Sequence, residues 1–307
     1  MSIGSRLAVT AIACVVFGAG RGVAQQPQQQ QMPADYAAVL ASLGKTGDLK
    51  DNVLKVNVPR TDLTVTIKGR PAPTPFGFGG WIAMTKATGG QDVLMGDLVL
   101  TEDEVNPVMS ALLSNGLDVT ALHNHFFWDQ PRIFYMHVHG LGQAADLTKR
   151  VKPALDLIPS TRPGANPAPA APSSTLNIAA LGQAVGHQGE QSGPVYKITI
   201  GRSDFQVGEH GAEINARMGL NTWAAFTGTD ADAMVAGDVA MLEHEVTPVL
   251  KALRANGIDV VAIHHHMTGT QPVVIFLHYY GTGPAAKLAQ GVRAAVDMLG
   301  KTPAVTH

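Results

Sequence analysis

A tandem duplication is the feature that most restricts how this chain can fold. Trp81 recurs as Trp223 after 142 positions, and Gly96 recurs as Gly237 after 141, so one residue is lost between them. The shorter shift then carries the motifs Glu104-Val105-x-Pro107, Asn115-Gly116-x-Asp118 and Gln130-Pro131 into the second half. So many ordered matches with a single indel indicate a repeated unit of about 120 residues, close to the usual domain size. We therefore predict repeat unit 1 at residues 35–158 and repeat unit 2 at residues 176–300.

Each unit has the patterning of a mixed α and β structure. The first unit predicts a helix over 35–43, strands at Val53–Val58, Leu63–Ile67, Leu94–Leu100, 117–127 and 131–140, and a closing helix at Ala144–Leu157. We predict an α+β fold: a tandem duplication of a mixed α/β unit with a histidine-bearing β-hairpin in each copy. The helix between the third and fourth of these strands has two candidate starts. Thr101–Glu104 resembles a capping box, but Asn106 as cap with Pro107 at the first helical position is favoured.

The segments outside the repeats predict export. Arg6 precedes the apolar run LAVTAIACVVFGAG, and Gly22-Val23-Ala24 supplies small residues for cleavage, so residues 1–24 are predicted to be a signal peptide. The apolar run is shorter than the roughly 20 residues that a membrane span needs, so we predict no transmembrane segment in the mature chain. The glutamine-rich residues 25–34 predict a disordered lead, and the Pro- and Ala-rich residues 159–175 predict a linker.

Composition narrows the chemistry that the chain can support. The formal net charge is −2 and no basic run stands out, so we predict no nucleic-acid partner, because such a surface needs clustered Lys and Arg. The apolar stretch continues past Cys14, and lipid anchoring at that residue is disfavoured. Cys14 is the only cysteine, so cleavage after Ala24 leaves a protein with neither disulfides nor thiolate metal sites. Any metal ligand must then be His, Asp or Glu.

Histidines are concentrated in two strand-like segments. Eight of the twelve lie between Leu117 and Gly140 or between Ile258 and Gly281. Successive strand residues point to opposite faces, so a hairpin centred on Asp129 puts four histidines on one face. These are His123, His125, His137 and His139. The second copy puts His264, His266, His278 and Tyr280 on the equivalent face, whereas His265 falls on the other face and is not predicted to be a ligand.

A face with an H-x-H pair and a third histidine across the hairpin suits a divalent metal. Zinc commonly takes three histidines with water in the open position, and imidazole also suits copper, nickel and iron. We predict a divalent-metal cofactor, with zinc favoured, on the ligands His123, His125, His137, His264, His266 and His278. His139 and Tyr280 form an asymmetric fourth position. The alternative is that these are buried structural histidines, because a duplication preserves structural residues as readily as ligands.

Two further pairs of recurring residues are candidates for a site. We predict Glu104 and Glu245 to be catalytic carboxylates, with helix capping and stabilisation of the helix dipole as the alternative. We predict that Trp81 and Trp223 stack on a ligand ring, with core packing as the alternative.

Other recurring polar residues are interpreted as structural. Asp97 and Asp238 each follow a glycine and are interpreted as turn residues. The pairs Arg60–Asp62 and Arg202–Asp204 are interpreted as surface ion pairs, which contribute little to stability.

The repeated motif E-V-x-P-V-x-x-A-L-x-x-N-G-[LI]-D-V-x-A-[LI]-H-x-H, followed each time by Q-P and a further histidine, resembles the LppY/LpqO family. The resemblance covers roughly residues 35–299. It implies an exported bacterial envelope protein with a duplicated domain of unknown function, and some relatives are labelled as peptidoglycan-binding proteins. It implies no catalytic residues.

These observations lead to two functional hypotheses. The first is an exported periplasmic or extracellular protein that binds a divalent metal through its histidine clusters, where an open water position would support hydrolysis. The second is a non-enzymatic envelope module that binds cell-wall glycan and has structural histidines. The predicted partners are accordingly cell-wall glycan or a small molecule, and the sequence does not decide whether the protein is an enzyme.

Overall fold

Each repeat folds into a six-stranded antiparallel sheet with three α-helices packed on one face. The computed structural model describes residues 30–159 and 173–301, together with Met1. The predicted signal peptide, most of the predicted lead and residues 160–172 of the predicted linker lie outside the described residues. The chain divides into two units, Met1–Gln31 and Met32–His307, and both repeats belong to the second.

The first repeat contains nine strands and three α-helices. In chain order they are α1 (Ala34–Leu43), β1 (Gly47–Lys50), β2 (Val53–Pro59), β3 (Val65–Ile67), β4 (Arg70–Ala72), β5 (Gly79–Lys86), β6 (Asp92–Thr101), α2 (Glu102–Ser114), β7 (Asp118–His123), β8 (Asp129–Gln130), β9 (Ile133–Gly142) and α3 (Ala144–Asp156).

The described part of the second repeat has the same order of elements without a counterpart of β8. Its elements are α4 (Ile178–Val185), β10 (Gly189–Ser192), β11 (Val195–Gly201), β12 (Val207–Glu209), β13 (Ala212–Ile214), β14 (Asn221–Gly228), β15 (Ala233–Leu242), α5 (Val246–Ala255), β16 (Asp259–His264), β17 (Val274–Gly283) and α6 (Ala285–Val296).

The two sheets have equivalent strand orders. The first runs β1-β2-β5-β6-β9-β7, and the second runs β10-β11-β14-β15-β17-β16, with every neighbouring pair antiparallel. The duplicated α+β fold predicted from the sequence is therefore confirmed. The structure places a pair of histidine-bearing strands at one edge of each sheet.

The helices cover one face of each sheet because alternate strand residues are apolar. In the first repeat Tyr36, Leu112 and Val151 from the three helices pack on sheet residues such as Leu54 and Met136. In the second repeat the equivalent helices pack on sheet residues that include Ile198, Phe226 and Leu277. Burial of these side chains is the main favourable contribution to folding within each repeat.

The opposite faces of the two sheets form cores that both repeats share. One core joins Phe76, Phe126 and Ile133 of the first repeat to residues of the second, including Met234 and Tyr280. A second core joins Val53, Ala83 and Met95 to residues that include Met218 and Phe276. The repeats are therefore two halves of one folded body with a common interior.

The segments between the second and third sheet strands, residues 60–78 and 202–220, extend across to the opposite repeat. Gly219 in the second segment has a φ of +94°, and a Cβ there would lie 3.1 Å from the Trp81 ring of the first repeat. Gly77 occupies the equivalent place beside Trp223. Glycine at these positions permits both the backbone conformation and the close approach to tryptophan.

The start of α2 differs from the favoured prediction. The helix begins at Glu102, and Pro107 lies inside it. The capping box decides the start, because the Glu104 carboxylate accepts a hydrogen bond of 2.8 Å from the Thr101 backbone N–H. Proline at the sixth helical position costs one backbone hydrogen bond, which this cap and the buried contacts of Glu104 offset.

None of the helices in the described residues is long and apolar enough to span a lipid bilayer.

Candidate metal centre

The histidines lie at the edge of each sheet, on the face turned toward the other repeat. In the first repeat His123 pairs with Tyr135 and Ala121 pairs with His137, which is the register predicted for a hairpin centred on Asp129. The predicted strand 117–127 is shorter in the structure, since β7 ends at His123. His125 lies just beyond that end and is buried.

The six predicted ligands form one cluster between the sheets. The ring centroids of His123 and His264 are 3.7 Å apart. The other cross-repeat pairs are His125 with His278 at 3.6 Å and His137 with His266 at 4.0 Å. His123 thus faces its own repeat equivalent, whereas His125 faces the equivalent of His137 and His137 faces the equivalent of His125. This pattern is expected for two copies related by an approximate twofold axis. We call these six residues the histidine cluster.

Three groups within the histidine cluster could hold a metal ion, because their ligand nitrogens lie within 4.8 Å of one another. The groups are His123–His125–His278, His123–His137–His264 and His264–His266–His278. Any two of these groups share one histidine. The arrangement therefore completes one three-histidine site at a time.

Most ring nitrogens of the cluster have no hydrogen-bond partner among the described residues. Ten of the twelve are buried and unpartnered. Nδ1 of His278 is an exception, since it donates to the Gly237 carbonyl at 3.2 Å and so leaves Nε2 as the atom with a free lone pair. Buried polar atoms are normally satisfied, and each that is not costs about 1–3 kcal/mol.

Burial lowers the pKa of every histidine in the cluster. Burial, assisted by the charge of His266, lowers the pKa of His123 to about 3, and burial lowers the pKa of His266 to about 3. The pKa values of the other four histidines also lie below the ordinary range, because burial and then the neighbouring imidazoles disfavour the charged form. These four are His125, His137, His264 and His278. Neutral imidazole is the form that binds metal.

A cavity of about 570 Å³ opens beside the histidine cluster. His125, His266 and His278 line it, together with the predicted stacking residues Trp81 and Trp223. Each tryptophan ring has a lysine ammonium over it, Lys55 at 4.1 Å from the Trp81 centroid and Lys197 at 4.3 Å from the Trp223 centroid. We call this space the central cavity.

The interpretation of Asp97 and Asp238 as turn residues is wrong. Both lie in the middle of strands, where Asp97 pairs with His137 and Asp238 pairs with His278, and both line the central cavity. The preceding glycine, which suggested a turn, instead allows the neighbouring strand to approach closely. Burial raises the pKa of Asp97 to about 7, with a further contribution from the charge of Asp238, and burial raises the pKa of Asp238 well above its usual value.

Asp238 also contacts the histidine cluster. Its Oδ2 lies 3.4 Å from Nε2 of His266. The sequence did contain a signal for these site residues, because Lys55 and Asp97 both recur at the repeat shift. In the sequence analysis that recurrence indicated only the duplication.

The predicted fourth positions lie outside the three nitrogen groups. His139 Nε2 is 2.6 Å from the carboxylate of Glu209, which belongs to the other repeat. Tyr280 is fully buried, with its ring edge-on to Phe126 at 5.8 Å. The two positions therefore contribute contacts between the repeats.

The predicted catalytic carboxylates are held by buried arginines. Glu104 accepts hydrogen bonds of 2.6 and 3.1 Å from Arg60, which is only 1 % exposed and is also bound by Asp62. Glu245 makes the equivalent pair with Arg202, at 2.8 and 2.9 Å.

The interpretation of Arg60–Asp62 as a surface ion pair is wrong. Both of its side chains are fully buried, because α2 brings Glu104 over them. The equivalent Asp204 remains partly exposed, but Arg202 beside it is buried.

A family described as "Domain of Unknown Function (DUF1259)" matches this sequence twice, at residues 37–157 and 179–298. The chain belongs to this family. The two matches show that the DUF1259 domain is duplicated here. The resemblance to the LppY/LpqO family stays a prediction.

Among solved structures, the chain is similar to a trimeric bacterial microcompartment shell protein, PduB, with 13% sequence identity and a TM-score of 0.20. The alignment covers 81% of this chain and 88% of PduB. It is also similar to EtuB from Clostridium kluyveri, at 9% identity, covering 83% and 89% with the same TM-score. Likenesses at this TM-score carry no conclusion about function. No curated protein matches the sequence.

Proposed function

We propose that this DUF1259 protein binds one divalent metal ion, zinc, in the histidine cluster between its two repeats. Two observations carry the proposal: ten imidazole nitrogens of the cluster are buried and unpartnered, and three groups of histidines each have ligand atoms within 4.8 Å of one another. Coordination would satisfy nitrogens whose burial otherwise costs free energy. The expected stoichiometry is one ion per chain, because any two groups share a histidine.

Zinc is favoured by the ligand set. All the ligands are neutral imidazoles, and zinc commonly binds three histidines with water in the fourth position. An ion held in this way lowers the pKa of its bound water and supports hydrolysis. The central cavity, which three of the histidines line, supplies room for a substrate beside the metal. Hydrolysis is therefore the reaction class we propose for this centre.

The test is metal analysis of untagged protein by mass spectrometry. His123→Ala with His264→Ala disrupts all three nitrogen groups, so this double variant is expected to lose the single bound ion. His265→Ala is the matched control, since this exposed histidine lies next to the cluster and outside it. Equal metal content in the wild type and a folded double variant would refute the proposal. Should the double variant not fold, the same comparison is made with His123→Asn and His264→Asn.

Hydrolysis has its own assay. Zinc-loaded protein is expected to hydrolyse a p-nitrophenyl ester or phosphate faster than EDTA-treated protein, and added zinc is expected to restore the rate. An identical rate with and without zinc would refute the hydrolytic part of the proposal and leave metal binding intact.

We also propose that the protein is exported to the periplasm or the extracellular space. The support is the sequence of residues 1–24, with Arg6, an apolar run and the small residues Gly22-Val23-Ala24. N-terminal sequencing of protein recovered from its native host is expected to begin at Gln25. A mature protein that retains Met1 would contradict export by cleavage.

Glycan binding is the second candidate, favoured by the position of Trp81 and Trp223 in the wall of the central cavity. One face of each ring is covered by a lysine, so a sugar would have to approach the remaining surface. Pull-down with purified peptidoglycan separates this candidate from the metal proposal. Binding that survives chelation and is lost in Trp81→Ala and Trp223→Ala would support it.

A further inference from the structure

The central cavity holds two positive charges in fixed places. Lys55 in β2 and Lys197 in β11 are repeat equivalents, and both line the cavity. Their ammonium groups lie over the rings of Trp81 and Trp223. Contact with the face of an aromatic ring attracts a cation and restricts where its long side chain can go. The two ammonium groups are thereby directed into one space.

Neither ammonium group has a hydrogen-bond or ion-pair partner among the described residues. The carboxyl groups of Asp97 and Asp238 line the same cavity, but neither forms an ion pair with Lys55 or Lys197. Each ammonium therefore keeps three N–H donors for use by another molecule. Two half-buried lysines without partners are unusual, because lysines normally point into water or pair with an acid.

Like charges in this space also act on one another. Burial, followed by the charges of Lys197 and Arg217, lowers the pKa of Lys55 to about 8. For Lys197 burial alone lowers the pKa, and the charges of Asp238 and Asp97 oppose that shift. A negatively charged group between the two ammoniums would relieve this repulsion and accept their hydrogen bonds. Charge-assisted hydrogen bonds of this kind are about twice as strong as neutral ones.

We propose that the central cavity binds the oxyanion group, carboxylate or phosphate, of a small molecule between Lys55 and Lys197. The inference deepens the proposed function and rests on it in one respect, that the anionic ligand lies beside the metal centre. His125, His266 and His278 line the same cavity and give the ligand that neighbour. The two lysines are separate from the metal ligands, so anion binding can be measured with and without zinc.

The test is isothermal titration calorimetry with two probes, inorganic phosphate and malonate, at constant ionic strength. Both the EDTA-treated and the zinc-loaded protein are titrated. We expect one saturable site per chain, with the dissociation constant raised at least tenfold in Lys55→Met and in Lys197→Met. Methionine keeps the aliphatic contact with tryptophan and removes only the charge. A tighter site for phosphate than for malonate, or the reverse, identifies which oxyanion the cavity prefers.

Lys68→Met is the matched control. The Lys68 ammonium also lies over a tryptophan, 3.6 Å from the Trp128 ring, but Lys68 does not line the central cavity. Its substitution is expected to leave the affinity unchanged within twofold. Far-UV circular dichroism verifies the fold of each variant, and glutamine at the same position replaces any methionine variant that fails to fold.

Three results would overturn the inference: no saturable binding of either probe, wild-type affinity in the cavity variants, or an equal loss in Lys68→Met. Either of the first two results would exclude an anion site at the lysines. The third would show that the loss of affinity comes from the change in net charge and not from the cavity. Phosphate binding by a wild-type protein that takes up no zinc would refute the metal proposal alone. Zinc binding without oxyanion binding would refute this inference alone.

Discussion

The buried glutamate of α2 offers a quantitative test of whether it serves structure or catalysis. The perturbation is Glu104→Gln, which keeps the side-chain volume and removes the charge. Glu104 accepts two hydrogen bonds from Arg60 and one from the Thr101 N–H. Breaking a buried ion pair by removing one partner costs about 3–5 kcal/mol. Asp62 still binds the guanidinium in a bidentate manner, so we expect the lower end, about 3 kcal/mol.

The assay is urea-induced unfolding followed by circular dichroism. Glu102→Gln is the matched control, because this exposed glutamate lies on the first turn of the same helix. Exposed substitutions of this kind change the free energy of unfolding by about 0.5 kcal/mol or less. Metal content is measured in parallel and is expected to stay at one ion per chain.

Two results would refute the reasoning about Glu104. A free energy of unfolding within about 0.5 kcal/mol of the wild type would mean that the buried ion pair does not stabilise the fold. Loss of zinc-dependent hydrolysis at unchanged stability would assign Glu104 the catalytic role predicted from the sequence. Loss of stability with retained activity per folded molecule fits a structural carboxylate.

Three further predictions concern packing within and between the repeats and are measured by urea unfolding or gel filtration. Gly237→Ala is expected to lower the free energy of unfolding by about 3 kcal/mol, because a Cβ there would overlap the Trp223 carbonyl oxygen. Gly96→Ala is expected to lower it by about 1 kcal/mol, because the atom nearest to a Cβ there is 3.0 Å away. Equal losses in the two variants would contradict this. Phe126→Ala is expected to cost about 3–5 kcal/mol, since this fully buried ring packs between the repeats; a loss below about 1 kcal/mol would contradict a shared core. Cleavage at a protease site placed within 160–172 is expected to leave the two halves co-eluting, and their separation without denaturant would show that the common cores do not hold them.

Local patterns in the sequence were sufficient for much of the secondary structure. The predicted helices at 35–43 and 144–157 agree with α1 and α3 to within one residue at each end. The strand predicted at 94–100 lies within β6. These elements carry clear apolar periodicity and have recognisable ends, so neighbouring residues alone determine them.

The errors occurred where distant residues decide the outcome. Asp97 looked like a turn residue because Gly-Asp is common in turns, yet it lies within a strand that buries both of its faces. Arg60 looked like part of a surface pair because Glu104, 44 positions away, completes its burial. β5 was not predicted, since its glycines and threonine give no alternation and its stability comes from pairing with strands on both sides.

The sequence by itself determined the duplication and predicted which six histidines come together. Alternation along a strand fixes which side chains share a face, and the repeat shift fixes their counterparts. The sequence left open whether those faces form two sites or one. Only the tertiary structure decided this. The surface that packs against each sheet face is determined by apolar contacts between residues more than 100 positions apart. Those contacts, in the cores that both repeats share, bring His123 and His264 face to face and leave one cluster beside one cavity.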